Sequence, residues 1–308
     1  NLKTFDVLSN PEFLAEGSAI KDLLEPDRVL IGGEDQKSMK ILSEIYENWI
    51  PQEKILLTNL WSSELAKLVA NAFLAQRISS INSISAICEK TGADIQQVSK
   101  AIGTDLRIGS KFLNSGPGFG GSCFKKDILN LVYICNHYGL REVSQYWEQI
   151  ININDWQKKR ISKLIVQKLF GTISGKKIAI FGFAFKANTN DTRESPAISI
   201  SNELLREGAN LSFYDPKVNS LQIEKELNLE NHKSEITKLS NKWSFHSDKY
   251  ESTIKADALI ILTDADEFKC LDWGKISKNM RAPAWIFDTK GFCNTTEIQK
   301  FGLKLWTI

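Results

Sequence analysis

The feature that most limits what this chain can fold into is a break in its texture. Short strand-like and helix-like pieces alternate over the first sixty residues. Strand signal then almost disappears from Trp61 to Tyr138, and alternation returns from Lys176 to the end. Strands that alternate with helices call for a mostly parallel sheet covered on both faces. A long strandless stretch has to bury its apolar residues helix against helix. The order is therefore a small α/β piece, a helical middle and a complete α/β domain.

Apolar spacing places the elements. Residues 5–8, 28–31 and 55–57 read as strands, and 38–49 reads as a helix through Met39, Ile41, Leu42, Ile45 and Trp49. A long helical period over 63–90 stops at Gly92, followed by helices over 94–102, 126–137 and 143–169. Strands at 177–181, 211–214, 258–262, 285–287 and 303–308, with a helix over 195–207 ended by Gly208, form the last domain. The domain boundaries expected are 1–58, 59–155 and 156–308.

Composition excludes several classes. Thirty-nine Lys+Arg nearly balance 37 Asp+Glu, so charge gives no case for nucleic acid or an anionic membrane as main partner. No apolar run has the ~18–20 residues of a membrane span, and no signal-peptide pattern opens the chain. The cysteines 88, 123, 135, 270 and 293 are scattered and never form a CxxC pair. That argues against a disulfide framework or a metal site and for a reducing, cytoplasmic setting. The chain begins at Asn1 rather than Met, which suggests a piece of something longer.

Gly116-Pro-Gly118-Phe-Gly120-Gly121 formally matches the dinucleotide pattern GxGxxG. That pattern works only where a strand precedes it and a helix opens at its third glycine. Here the upstream stretch ends a helical region, so the reading that fits is a loop whose backbone can approach a ligand closely. Cys123 follows it at the start of a helix, a setting that lowers a thiol pKa, with Lys125 and Lys126 beside it and Asp127 on its helical face. An inert buried cysteine is the equal alternative on sequence alone.

Lys67 and Asn71 stand at i, i+4 on an otherwise apolar helix, where a lysine either snorkels to solvent or is buried with a partner. Glu12 and Glu16 lie four apart in a strand-to-helix loop, where solvated acids are the commoner outcome. In the last domain, strand 177–181 runs into Gly182-Phe-Ala-Phe-Lys186 and then Asp191-Thr-Arg193-Glu194-Ser195-Pro196. Such loops at the carboxyl ends of parallel strands are where open α/β sheets bind ligands. Ser195 as N-cap with Pro196 behind it starts a helix cleanly, and Lys186 and Arg193 offer charge for a phosphate or carboxylate. Asp215 follows the next strand, and its Asp-Pro turn explains it adequately.

Taken in order, Asn10-Pro-Glu-Phe-Leu-Ala-Glu-Gly17, Lys67 with Asn71, Gly118-Phe-Gly-Gly-Ser-Cys-Phe-Lys-Lys-Asp127, and Gly182-Phe-Ala-Phe-Lys186 with Asp191-Thr-Arg-Glu-Ser195 resemble the UDP-glucose 6-dehydrogenases of the UDP-glucose/GDP-mannose dehydrogenase family. The wording is closer to the animal-type branch than to the shorter bacterial one. The resemblance covers essentially the whole chain. It implies a remnant of an N-terminal Rossmann-like domain, a central all-helical dimerisation region and a C-terminal Rossmann-like parallel α/β domain that binds UDP-sugar.

It also implies an oxidoreductase that takes UDP-glucose to UDP-glucuronate with two NAD, through a thiohemiacetal and thioester on Cys123. In that scheme Lys67 stabilises the oxyanion with help from Asn71, Asp127 serves proton transfer and water activation, and Glu12 is a second general base. Glu12, Phe13, Leu14, Ala15, Glu16, Lys67, Asn71, Arg107, Asn114, Gly116, Gly118, Phe119, Gly120, Phe185, Lys186 and Lys290 would touch the UDP-sugar, Arg107 from a neighbouring subunit. Glu16, Cys123, Lys126 and Arg193 would touch NAD. Partners implied are UDP-glucose and further copies of the chain, as a homodimer or higher homo-oligomer through the central helices.

Three departures stand out. Asn114 replaces a lysine, and Lys290-Gly291 replaces an arginine pair. No strand–GxGxxG–helix occurs, which implies that most of the NAD-binding domain lies outside this sequence and that the chain by itself binds UDP-sugar without turnover. Two rival readings are another nucleotide-sugar dehydrogenase, acting on GDP-mannose or a UDP-N-acetylhexosamine, and a non-catalytic nucleotide-sugar-binding module.

Overall fold

The computed structural model describes residues 5–230 and 242–308. The chain divides into two compact units. One comprises residues 1–73 and 126–147, the other 74–125 and 148–308.

In the first unit, α1 (Ala19–Leu24) precedes β1 (Val29–Gly32), α2 (Gln36–Tyr46) and β2 (Ile55–Thr58). β1 and β2 pair in parallel, Val29 against Ile55 through Gly32 against Thr58. Val29, Ile31, Met39 and Ile50 bury together with Leu8, Leu42, Tyr46 and Ile55 packed around them. Asp35 caps α2 by accepting from the Ser38 amide, which satisfies one of the helix's free N–H groups. Gly32 is required by a close approach, since a Cβ there would run into the Ser63 side chain and the Asn59 carbonyl. The first turns of α3 (Leu60–Thr91), most of α5 (Phe124–His137) and the start of α6 (Arg141–Lys168) complete this unit.

The second unit holds the rest of α3 and α6, α4 (Ile95–Gly103) and the last domain. That domain runs β3 (Lys177–Phe181), α7 (Pro196–Arg206), β4 (Asn210–Tyr214), α8 (Ser220–Glu230), β5 (Trp243–Phe245), α9 (Lys249–Ser252), β6 (Ala258–Ile261), α10 (Trp273–Asn279), β7 (Trp285–Asp288), α11 (Thr295–Gln299) and β8 (Lys304–Thr307). The six strands are all parallel, in the order β5-β4-β3-β6-β7-β8. Alternation along each strand feeds two cores. Ile178, Ile180, Ala258 and Ile260 face one, with Ile161, Ile165 and Leu169 of the α6 side and Leu204 of α7. Ala179, Phe181, Leu259 and Ile261 face the other, with Phe268, Trp273 and Ile276. Fully burying a Phe or Ile of this kind stabilises by roughly 1.5–3 kcal/mol, so the two covered faces hold the sheet.

Most elements fall where the periodicity places them, and the differences have physical reasons. Residues 5–8 are not a strand; only Ser9 pairs, in an isolated antiparallel bridge to Gly32. The apolar Phe5 and Val7 that suggested a strand are exposed. The helix expected over 38–49 ends at Tyr46, and the one expected from 126 begins at Phe124. Strand β5 and helices α8 to α11 carried too few periodic residues to be seen in the sequence.

Candidate active site

In the first unit the loop after Ser9 is fastened before it reaches any charged group. Asn10 donates to the Leu30 carbonyl (2.8 Å) and accepts from the Tyr46 hydroxyl (2.7 Å). Asp22 takes the Ala15 amide and the Ser18 hydroxyl. Within this frame Lys67 donates to Glu12 Oε1 at 3.0 Å, with its side chain 19% exposed against 56% for Glu12. Lys67 therefore has a partner rather than snorkelling alone. Desolvation works to raise the Glu12 pKa, but the Leu14 amide (2.7 Å), the Lys67 ammonium and the charge of Lys126 outweigh it and hold the carboxyl below its ordinary value. Phe13 lies under the Arg28 guanidinium (3.8 Å) and within 5.5 Å of the Lys67 ammonium. One turn further along α3, Asn71 Nδ2 donates at 2.5 Å to Oδ2 of Asp127, a buried carboxylate on α5.

In the second unit the glycine loop is held by polar side chains from two helices. Asn82 of α3 accepts from the Gly116 amide (2.8 Å) and Gln157 of α6 donates to the Gly116 carbonyl (2.8 Å). Asn154 of α6 grips both sides of Phe119, accepting from its amide (2.8 Å) and donating to its carbonyl (3.0 Å). The glycines are there because the backbone passes too close for a side chain. A Cβ on Gly120 would sit 2.5 Å from the Glu194 carbonyl oxygen, and Gly118 adopts φ 125° with Asn154 Oδ1 2.8 Å from where its Cβ would be. The Gly121 amide donates to the Arg193 carbonyl (2.9 Å), and Lys125 pairs with both carboxylate oxygens of Glu194 (3.1 and 3.0 Å). Ser115 Oγ and Asn82 Nδ2, both buried at the root of the loop, have no hydrogen-bond partner among the described residues.

The sheet meets this loop at its carboxyl edge. Chain order reverses between β3 and β6, which opens a crevice beyond their carboxyl ends. Phe185 follows β3, faces Gly120 and Gly121, and is tied by its amide to the Asp191 carbonyl (3.0 Å). Lys290 follows β7, with its ammonium 3.7 Å from the Cβ position of Gly116 and 3.8 Å from Asp264. Asp215 accepts from the amides of Phe183, Ala184, Lys217 and Val218. Its carboxylate is spent on the loops, as the Asp-Pro reading has it. Asp288 does the same for Lys290, Gly291 and Cys293.

The remaining expected residues are less gathered. Cys123 is exposed immediately before α5, with the Ser122 hydroxyl 3.6 Å from its sulfur. Leu14, Ala15, Asn114 and Lys126 are exposed, and Glu16 and Lys186 partly so. Arg193 forks onto Asp191, at 2.7 Å through Nη2. Arg107 is splayed on an exposed turn, paired with its neighbour Asp105, and meets none of the other expected site residues. Burial raises the Cys293 thiol pKa, reinforced by Asp288, and raises that of Cys135. Sequence reasoning missed Asn154, Gln157 and Glu194. The available signal was Asn154 and Gln157 at i, i+3 amid the buried Ile150, Ile151 and Ile161 of α6. No group of three or more His, Cys, Asp or Glu able to hold a metal occurs among the described residues.

With its central strand numbered first, the six-stranded sheet has strand order 3-2-1-4-5-6, which places the last domain in the doubly wound, Rossmann-type class. The chain belongs to the UDP-glucose/GDP-mannose dehydrogenase family. It matches that family's NAD binding domain over residues 1–50, its central domain over 61–156 and its UDP binding domain over 179–295. It is 56% identical to a UDP-glucose 6-dehydrogenase of Gallus gallus over 308 residues, covering 98% of this chain and 62% of that protein. Against UDP-glucose 6-dehydrogenase 1 of Glycine max it is 53% identical, covering 99% and 66%. The chain thus spans slightly less than two thirds of these relatives. The solved UDP-glucose dehydrogenase of Pyrobaculum islandicum superposes with a TM-score of 0.82 at 28% identity, over 99% of this chain and 63% of that one.

A dinucleotide's pyrophosphate needs a strand–glycine turn–helix with a free helix start. Within residues 1–50 the strand-to-helix turn is Gly32-Gly33 between β1 and α2. There the Asp35 carboxylate already occupies the helix start and Glu34 adds a second negative charge, so this turn does not fit a pyrophosphate.

Proposed function

We propose that this chain is the substrate-handling part of a UDP-glucose 6-dehydrogenase, an enzyme that oxidises the sugar C6 hydroxyl of UDP-glucose to the carboxylate of UDP-glucuronate. NAD would be the hydride acceptor in the whole protein. The observation that carries the reading is the Asn71–Asp127 hydrogen bond. It fixes a buried carboxylate on α5 one turn beyond Cys123, in a chain more than half identical to enzymes of that name.

Each residue then has a task its surroundings suit. Cys123, exposed and at a helix start, is the nucleophile that would add to the C6 aldehyde and hold it as a thiohemiacetal, which would become a thioester only where the whole protein's NAD accepts the hydride. Lys67 donates to the oxyanion. Its pairing with Glu12 keeps a carboxylate at hand for a proton, with the Glu12 carboxyl held below its ordinary value. Asp127, oriented by Asn71, activates the water that cleaves the thioester. Gly116 to Gly120, with Phe185, Lys186 and Lys290, cradle the nucleotide sugar at the carboxyl edge of the sheet. Lys290 supplies there a single cationic contact where an arginine would make a bidentate one. The domain assignment follows the same lines: residues 1–58 as the end of the NAD-binding domain, 59–155 as the helical region through which copies of the chain pair, and 156–308 as the UDP-sugar domain.

Calorimetric titration of the 308-residue chain with UDP-glucose, GDP-mannose and UDP-N-acetylglucosamine tests the reading. Selective UDP-glucose binding, weakened by Lys290→Ala, is the expected result. Preference for either other sugar nucleotide would move the assignment to another nucleotide-sugar dehydrogenase. Binding with no loss of thiol labelling in Cys123→Ser would favour a non-catalytic module.

A further inference from the structure

The opposite edge of the same sheet carries a second concentration of charge. A cavity of about 350 Å³ opens where β3, β4 and β5 begin, lined by Lys177, Asn210, Lys242, Trp243, Lys255 and Arg281. Four cations thus line it, and of these Arg281 pairs with Asp257, which also accepts from the Lys177 amide. The Lys177 ammonium donates to the Ile254 carbonyl (2.8 Å). Lys242 and Lys255 have no ion-pair or hydrogen-bonded side-chain partner among the described residues.

The charges also act on one another. Burial and then the charge of Arg281 lower the Lys177 pKa, and burial and then the charge of Lys177 lower that of His246. Lys255 holds φ 57°, a left-handed conformation that costs a residue with a Cβ about 1 kcal/mol or more. The position is fixed by a hydrogen bond from the Lys255 amide to the Asn279 carbonyl (2.7 Å).

We propose that this amino-terminal edge of the sheet is a binding site for an oligophosphate anion, separate from the nucleotide-sugar loops. A chain of phosphates fits better than one. The lining groups belong to the starts of β5, β4 and β3 and to segments flanking β6, neighbours in that order, a span of about 14 Å at ~4.8 Å per strand. A single phosphate cannot bridge that distance, whereas linked phosphates present an anionic oxygen to each lysine in turn. Asn210 adds an amide for a bridging or terminal oxygen. Free oligophosphate and the triphosphate tail of a nucleotide share this chemistry.

The test is calorimetric titration of the 308-residue chain with tripolyphosphate and, separately, ATP, both with UDP-glucose at saturation so that the loop site is occupied. One tripolyphosphate per chain is expected, with affinity that falls as salt is added. Lys242→Ala and Lys255→Asn should each weaken it about tenfold, as loss of a charge-assisted contact does. Asn suits position 255 because it tolerates the left-handed backbone without the charge. Lys40→Ala, an exposed lysine of α2 paired with Glu44, should change nothing. Comparison of ATP with tripolyphosphate decides between the two sources: equal affinity means that only the phosphates are read, and tighter ATP means that the nucleoside contributes. Absence of tripolyphosphate binding overturns the proposal, as does binding that survives the Lys242→Ala/Lys255→Asn double variant. UDP-glucose binding intact in that double variant keeps this outcome independent of the reading above.

Discussion

Asn154→Leu is the most informative single change. Asn154 is 3% exposed and makes both of its hydrogen bonds to the Phe119 backbone, one to the amide and one to the carbonyl. Leucine has the same branched outline, is bulkier, and offers neither group, so a buried donor and a buried acceptor lose their partners together. Each orphaned group costs about 1–3 kcal/mol. Allowing for relaxation of the loop, the change should destabilise the second unit by about 2–4 kcal/mol. Gln157→Leu removes the bond to the Gly116 carbonyl and also the one that Gln157 Oε1 accepts from Arg160 Nη1, so it should cost a comparable amount in stability while freeing only one end of the loop. For a unit of this size the midpoint shift is on the order of 5–15 °C for Asn154→Leu, read by differential scanning calorimetry with UDP-glucose titrations alongside. The loop should also bind the sugar nucleotide more weakly, because it must be ordered at the moment of binding. Unchanged UDP-glucose affinity in Asn154→Leu, or a midpoint shift below about 2 °C, would refute the argument that Asn154 sets the loop's shape.

Three further outcomes can be checked. Gly120→Ala should abolish UDP-glucose binding while leaving the far-UV circular dichroism intact, since its Cβ would lie 2.5 Å from the Glu194 carbonyl oxygen in the loop and not in the sheet. Maleimide labelling followed by peptide mapping should mark exposed Cys123 and Cys270 first. Buried Cys88 and Cys135 should be last, with Cys293 slow because its thiol is held protonated; early labelling of Cys88 would contradict the burial of α3. The Glu12 carboxyl is depressed in the folded chain, so its pairing stabilises fully above the ordinary value of 4.5 and is lost as pH falls through the lower folded value. Melts of the parent and of Glu12→Gln should therefore differ by no more than about 1 kcal/mol at pH 7, because the pair is partly exposed, and should converge once the pH falls below the depressed folded value.

Much of this fold is written in apolar period. The run Lys177–Phe181 is buried on both faces and could hardly be anything but a central parallel strand. Ser195-Pro196 announces the start of α7 through chemistry that is entirely local. Phe5 to Leu8 misled for the opposite reason: an apolar tetrapeptide looks like a strand until one knows that no neighbour pairs with it. At the site, Lys67 with Glu12 and Asn71 with Asp127 are pairings over 55 and 56 residues, invisible to any local rule. Lys67 and Asn71 stood out because polar groups interrupted an apolar helix, and Glu12 and Asp127 through motifs of their own, but no local pattern joined one to the other. Asn154 and Gln157 were hidden in the same way, since an amide on a buried face reads as noise until the backbone it grips is seen.

Asp215 and Asp288 have a consequence for how fast a ligand can be taken up. Between them they accept seven backbone amides from the turns that follow β4 and β7 and from the Phe183-Ala184 turn after β3. Loops fastened in this way already have their shape when a ligand arrives, so little chain entropy remains to be surrendered on contact. Capture at this edge should then be limited by diffusion and orientation rather than by folding of the rim. Association rates should vary little between ligands that share the same nucleotide, and discrimination among their sugars should appear in how quickly each one leaves.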